Sequence, residues 1–552
     1  MTRRQAAVVA TALAVVAAIA AGAWVVGVGR PAGPGPVAGP PQFVDETATS
    51  GLAETYDGPL AFVVGGGVAV FDCDGDSKPD LYVAGGVNPA ALYQNVGKVG
   101  GALRFSAVPD AATDLTSVHG AYPLDIDGDG LIDLAVLRDG ENVLLRGTGG
   151  CQFERANEGW SFDGARGPTT AFSATWESDA ALPTMAFGHY VDPAATDPHD
   201  LCADNVLVRP ATGGGGYDAS VALNPSWCAL SMLFSDWDRS GRRDLRISND
   251  RHYYMDGEEQ LWRMEPGSPP RLYTADDGWV RMNVEGMGIG SFDLTGDGYP
   301  EVFLTSQGSN RLQTLTIGPA KPTYRDIGLK RGVDADRPFT GGDTLPSTAW
   351  HPEFDDVNND GYIDLFISKG NVREQPDFAQ KDPSNLLLGQ PDGTFKESAD
   401  AAGILSFDRG RGAALADFNL DGLLDLVEVN LGAPLKLWRN TGPGDTPAAN
   451  GPGNWLGLEL ADVERSNRYA IGAWIDVKVG ETTMRRELTV GGGHVSGQLG
   501  WIHFGLGPAD GADVRVQWPD GETGPWIHVP ANHFAIIDRD ASQARLWTPP
   551  SD

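Results

Sequence analysis

The sequence predicts an all-β chain: a seven-bladed β-propeller over about residues 42–440, then a small antiparallel β-domain over about 454–540. Three observations predict it. A nine-residue acidic loop recurs six times, each copy followed at once by an apolar β-like run such as LYVA, LAVL or LFIS. The loops start at 72, 125, 236, 293, 356 and 417, so neighbouring copies lie 53 to 63 residues apart, except for one gap of 111 that is two repeats long. Beyond a Gly/Pro-rich stretch near 441–453, apolar alternation resumes in WLGLEL, AWIDVKV, WIHFGL and HFAIID. Repeats of this length built from several short strands indicate propeller blades. Alternation broken by Gly, Pro and Asp turns indicates antiparallel strands.

The loops are DCDGDSKPD, DIDGDGLID, DWDRSGRRD, DLTGDGYPE, DVNNDGYID and DFNLDGLLD. Oxygen-bearing side chains stand at positions 1, 3, 5 and 9, and glycine at position 6 in five of the six. A hard cation such as Ca²⁺ takes six to eight oxygen ligands at about 2.3–2.6 Å. Positions 1, 3 and 5 of a tight loop can converge on one point. The backbone carbonyl of position 7 and the carboxylate of position 9 would close the shell, and glycine permits the positive φ of the turn. The expected ligand sets are Asp72, Asp74, Asp76, Lys78 and Asp80; Asp125, Asp127, Asp129, Leu131 and Asp133; Asp236, Asp238, Ser240, Arg242 and Asp244; Asp293, Thr295, Asp297, Tyr299 and Glu301; Asp356, Asn358, Asp360, Tyr362 and Asp364; and Asp417, Asn419, Asp421, Leu423 and Asp425. Lys78, Leu131, Arg242, Tyr299, Tyr362 and Leu423 enter through their carbonyls alone. Up to six Ca²⁺ are expected. Without a cation, carboxylates this close would repel one another. The loops are not EF-hands, because position 12 is apolar in five of the six, such as Val83 and Val136, and strands flank them. The first two, with four acids each, are expected to bind most tightly. The third is expected to be weak, since Ser240 replaces an acid beside Arg242 and Arg243.

The double gap implies a seventh unit without a metal site. MAFGHYVDPA is its expected loop, with Tyr190 in the first ligand position and Asp192 in the third. Aromatic-led segments, beginning RFSA, FERA, YDAS, LYTA, YRDI and FKES, are expected as outer strands of six blades. The seventh is expected from FVDETATSGL at Phe43, so that the N-terminal strand closes the ring and removes its free edge.

Acidic residues outnumber basic ones by 74 to 41, a net charge of −33. That excludes a nucleic-acid binder, which needs a basic footprint. Hydrophobic residues at 41% exclude a disordered polyanion. Twenty of the acids lie in the six loops. Arg3 and Arg4 precede a small-apolar run from Ala6 to Gly29, long enough to span a bilayer. It is expected to export the chain, as a cleaved signal or an uncleaved anchor. Residues 30–41 read as a Pro/Gly linker and 541–552 as a tail. In an exported chain Cys73, Cys151, Cys202 and Cys228 allow two disulfides in three pairings, with Cys202–Cys228 preferred as the closest pair.

The loops resemble the FG-GAP (VCBS) repeats of integrin α-chains and related bacterial propellers. The resemblance implies a calcium-stapled seven-bladed propeller with all metal loops on one rim. NRYAIGAWIDVKVG from Asn467 and GGGHVSGQLGWIHFGLGPADGADVRVQWPDG from Gly491 resemble the ASPIC/UnbV domain, which follows such a propeller in the cartilage acidic protein-like family. In the C-terminal part Asn467, Arg468, His494, Ser496 and His503 are expected to cap turns and define the fold rather than form a ligand site, and Trp474, Trp501 and Trp518 to be mostly core. His119 and His351 are placed near the propeller mouth. The connections 161–184 and 334–350 are expected on the rim opposite the metals, where Arg337, Trp350 and Tyr190 are candidates for a ligand surface. No catalytic motif is present: no HExxH, P-loop, Rossmann fingerprint or G-x-S-x-G elbow occurs. The reading is therefore an extracellular or cell-surface binding or adhesion module, taking a protein or glycan on that rim, with no nucleic acid and membrane contact only through residues 6–29. The alternatives are a polysaccharide lyase or hydrolase and an accessory protein of natural-product biosynthesis.

Overall fold

The computed structural model describes residues 38–192, 202–250, 257–282, 284–443 and 453–550. The apolar run at 6–29 lies outside the described residues, as does most of the linker at 441–453. Among the described residues, no helix is long and apolar enough to cross a membrane.

Seven four-stranded antiparallel units follow one another along the described chain. Unit 1 is Val68–Phe71, Asp80–Val83, Ala91–Asn95 and Phe105–Ala107. Units 2 to 7 begin with Val118–Leu124, Gly167–Thr175, Ala229–Ser235, Gly286–Phe292, Ala349–Asp355 and Gly410–Ala416. Each first strand contacts the next, and the last contacts Val68–Phe71, so the first strands form a closed cycle. They are almost wholly buried. The strand Pro41–Asp45 pairs with Lys436–Pro443, Phe43 opposite Asn440, and supplies the outer strand of unit 7. The first and last parts of the propeller therefore share one sheet, as the Phe43 segment predicted. The six aromatic-led segments also take up outer positions, as in Phe105–Ala107, Tyr324–Asp326 and Phe395–Glu397.

Unit 3 corrects the sequence reading. Its first strand is Gly167–Thr175, inside what was read as a long connection, and TMAFGH forms its second strand. Thr175 faces Thr184, as Phe71 faces Asp80 in unit 1. The loop equivalent to the acidic loops is therefore residues 176–183 (WESDAALP), and not the segment at Tyr190. Trp176, Ala180 and Thr184 stand where carboxylates stand elsewhere. Apolar composition could not tell the first strand from the second once no acid stood at the ligand positions between them.

The C-terminal domain packs two four-stranded sheets around Leu456, Leu458, Ile475, Val514 and Ile537. It is not purely antiparallel: Asn454–Ala461 pairs parallel with His533–Asp538. Its edge strand Arg545–Trp547 lies beyond residue 540, in the expected tail. Its GGGHVSGQ segment leaves the domain and enters the propeller. Val490–Gly491 pairs with the first strands of units 3 and 4, joining their sheets. Gly497–Gln498 pairs parallel with Val68–Phe71. His494 is fully buried between them in the chain, tilted against Trp350. Glycine in the first strands makes room for this plug: a Cβ at Gly120 would collide with the carbonyl oxygen of Val495. The disulfides are Cys73–Cys151, between units 1 and 2, and the preferred Cys202–Cys228, between units 3 and 4.

Gly120→Ala is expected to lower unfolding stability by about 1–3 kcal/mol, the usual cost of overpacking. Gly39→Ala, which meets nothing within 4 Å, is expected to leave it unchanged. Urea midpoints at constant m-value compare the two.

Candidate metal centres

All six acidic loops join the first strand of a unit to its second, which puts them on one rim. Their backbones are alike. At position 6, Ser77, Gly130, Gly241, Gly298, Gly361 and Gly422 all have φ between 65° and 95°. Position 4 is also left-handed throughout, at Gly75, Gly128, Arg239, Gly296, Asn359 and Leu420. The glycine pattern pointed to the first of these turns. The second was hidden, because three of its residues are not glycine.

Two left-handed residues turn the loop's N–H groups onto the position-1 carboxylate. In every loop one oxygen of that carboxylate accepts the position-6 N–H, from Ser77 to Asp72 at 2.7 Å through Gly422 to Asp417 at 2.7 Å. Positions 3 and 5 are held in the same way. Asp74, Asp127, Asp238, Asn358 and Asn419 accept the N–H of position 5. Asp76, Asp129, Ser240, Asp297, Asp360 and Asp421 accept that of position 7. Thr295, at position 3 of the fourth loop, donates instead to Glu301.

Position 9 does something the spacing did not reveal. Asp133 accepts from Ile126 N–H at 2.7 Å on one oxygen and from Gly147 N–H, on the third strand, at 2.8 Å on the other. Asp80, Asp364 and Asp425 repeat this, with Asn95, Gly389 and Asn440 as third-strand donors. The residue is a staple between loop and sheet as well as a candidate ligand, and two donors leave about half of a carboxylate's lone-pair sites open.

The carboxylates converge. Ligand oxygens of Asp72, Asp74 and Asp80 lie within 4.8 Å of one another, as do those of Asp125, Asp127 and Asp133. One buried oxygen each of Asp236 and Asp293 has no hydrogen-bond partner. Burial, and then the neighbouring carboxylates, raise their pKa values: Asp80 and Asp133 to about 8, Asp125 and Asp293 to about 6, and Asp356, Asp364, Asp417 and Asp425 well above the ordinary range. Several buried oxygens, open lone pairs and an anionic charge only partly neutralised by Lys78 at Asp76, Arg146 at Asp127 and Asp129, and Arg485 at Asp293 fit a hard cation.

The C-terminal domain covers this rim and touches every loop. Trp501 donates to Ser77 O at 3.1 Å, Arg468 to Gly128 O at 3.2 Å, and Arg243 to Pro519 O at 2.6 Å. Arg485 lies 3.4 Å from Asp293, His503 is hydrogen-bonded to Asn359 at 2.6 Å, and Gly422 packs against Trp455. Beside the loops of units 3 and 4 the domain stands off, leaving a cleft of roughly 780 Å³.

The other candidates do not form one site. Asn467 bridges its own turn to Ile471, Ser496 accepts from Val68 N–H in the channel, and Trp474 and Trp518 are core. Trp501 is half-buried against Phe534 and Trp547. Trp350 and Tyr190 are buried, so of the proposed ligand-surface trio only Arg337 is exposed. His119 is sealed under Phe62 with its Nε2 unpartnered, and His351 accepts from His494 N–H at 3.0 Å. With Arg411, fully buried over Trp350, and Tyr56, these groups form a buried polar cluster in the channel.

Comparison with known proteins follows this geometry. The model of the FG-GAP-like repeat matches residues 72–136 and 356–428, and that of ASPIC and UnbV matches 463–544. The chain is thus an FG-GAP-repeat β-propeller carrying an ASPIC/UnbV domain. Cartilage acidic protein 1 of Xenopus tropicalis is 40% identical over 499 residues, covering 83% of this chain and 70% of that protein. The Homo sapiens protein of the same name is 23% identical over 505 residues, covering 83% and 69%. The chain belongs to the cartilage acidic protein family. Among solved structures it is similar to an Agrocybe aegerita lectin described as recognising non-reducing terminal N-acetylglucosamine (14% identity, 67% of this chain and 93% of that one, TM-score 0.38) and to a Trypanosoma rangeli sialidase (10%, 63% and 56%, TM-score 0.34).

Two outcomes are expected. Asp133→Ala strands two buried N–H donors and should cost about 2–5 kcal/mol even in chelator, whereas Asp129→Ala, at an outward position, should act mainly through metal affinity; denaturant titrations with and without EGTA separate them. In chelator, the raised folded-state pKa values mean that the folded state holds protons the unfolded state has released. Stability should therefore be highest below about pH 4 for these groups and fall as pH rises through about 6 to 8. Melting scans across that window check the sign.

Proposed function

We propose that this protein is an exported, calcium-loaded binding or adhesion module without catalytic activity. Ca²⁺ held by the rim loops neutralises their carboxylates and fixes each first-to-second-strand turn, while the opposite rim presents loops to a protein or glycan. The observation that carries the reading is the repetition of one buried carboxylate cage, with the same two left-handed turns and the same staple at position 9, around a single rim. The polar cluster that could serve an enzyme is buried in the channel. On the opposite rim, Phe339, Leu345 and Phe407 stand exposed on connections that run from an outer strand to the next first strand. Apolar side chains there suit a partner surface. Family membership supports an extracellular setting, and the two disulfides suit one.

Elemental analysis of the purified chain should find bound calcium, and EGTA should lower the melting temperature by roughly 10 °C or more. A chain without calcium whose melting is unchanged by EGTA would refute the metal reading. A glycan and surface-protein screen, run with calcium and with chelator, tests the partner. Hits lost on Phe339→Ala with Phe407→Ala, in a variant of unchanged melting temperature, place it on the opposite rim.

A further inference from the structure

The loop of unit 4 departs from the other five in a way that changes its chemistry. We infer that the Arg242 guanidinium is its resident cation and that this loop takes no calcium. The inference rests on the calcium reading of the other loops. Arg242 Nε lies 2.8 Å from one oxygen of Asp244 and its Nη2 3.1 Å from the other, a bidentate pair, with Nη2 also 3.6 Å from Asp238. Asp244 further accepts from Met264 N–H at 3.0 Å, Trp237 Nε1 at 2.9 Å and Tyr273 OH at 2.8 Å. Five donors exceed the roughly four lone-pair sites of a carboxylate, whereas Asp133, Asp364 and Asp425 carry two each. No oxygen of Asp244 is left for a metal.

The charge of the loop agrees. Within residues 236–244 three arginines balance three aspartates, while the other five loops hold one cationic side chain between them, Lys78. The acid at position 5 is also gone, replaced by Ser240. A tethered guanidinium needs no binding equilibrium, since arginine stays charged throughout the physiological range. Unit 4 adjoins unit 3, whose loop has no carboxylate at positions 1, 3, 5 or 9. These are the units joined by Val490–Gly491 into one sheet and by Cys202–Cys228. The propeller thus has a sector of two adjacent units whose order does not draw on calcium.

Calcium stoichiometry of the full chain tests this, by equilibrium dialysis with elemental analysis. Wild type should stop at five or fewer per chain. Ser240→Asp combined with Arg242→Tyr, which recreates the residues of the fifth loop at those positions, should bind one more. As a check that needs no refolded cage, Asp238→Ala should leave the wild-type count unchanged, while Asp127→Ala should lower it by one. Six calcium ions in wild type, one lost on Asp238→Ala, or a folded double variant that gains none would each overturn the assignment. No calcium at all in wild type would overturn the calcium reading, and the inference with it.

Discussion

Mutual repulsion among buried carboxylates is the constraint on which the rest of this molecule depends. The first two acidic loops each draw three aspartates into a space a few ångströms wide, under a second domain, and in all six the position-9 carboxylate is removed from water almost completely. Backbone N–H groups offset part of that cost and fix the geometry. They cannot supply a counter-charge, and without a cation the charge is relieved by protons, which Asp80 and Asp133 hold up to about pH 8. On the calcium reading proposed above, the chain meets this in two ways: cages that take Ca²⁺ in five units, with Lys78, Arg146 and Arg485 pairing part of the acids in three of them, and a tethered guanidinium in one.

The second domain turns local cages into a global arrangement. Its contacts reach all six loops through Trp455, Arg468, Arg485, Trp501, His503 and the Pro519 carbonyl. Its GGGHVSGQ segment hydrogen-bonds to first strands in the channel. Propeller and domain share buried surface and backbone hydrogen bonds, so perturbing one rim loop is felt by both. Ring closure by Pro41–Asp45 ties the chain's start into the same assembly. What remains open to partners is the far rim and the cleft beside units 3 and 4.

Much of this was legible in the sequence because the acidic loops keep strict side-chain spacing. The six loops, the outer strands, the closing strand from Phe43 and the Cys202–Cys228 bridge follow from period and composition, and the resemblance to FG-GAP repeats implied their common rim. Unit 3 was misplaced by one strand because its loop kept the length and lost the acids at the ligand positions, and GPTTAFSAT and TMAFGH are equally apolar. Length alone was informative: a loop starting at Trp176 divides the double gap into 51 and 60 residues. The plug was not legible. GGGHVSGQ reads as a turn, and nothing local to it says that its backbone groups find partners in strands more than two hundred residues away. Trp350 and Tyr190 looked like surface candidates because their connections were long, yet both side chains turn inward. The double role of position 9 was hidden because its third-strand donor lies outside the motif.

The central claim is that the rim loops are cation cages and not merely acidic turns. Anomalous diffraction from crystals grown in calcium tests it most directly. The account predicts calcium peaks among Asp72, Asp74 and Asp80, among Asp125, Asp127 and Asp133, and in the loops at Asp293, Asp356 and Asp417, with none at Asp236 or Trp176. Water alone in the five cages, with the loops in the same conformation, would contradict it.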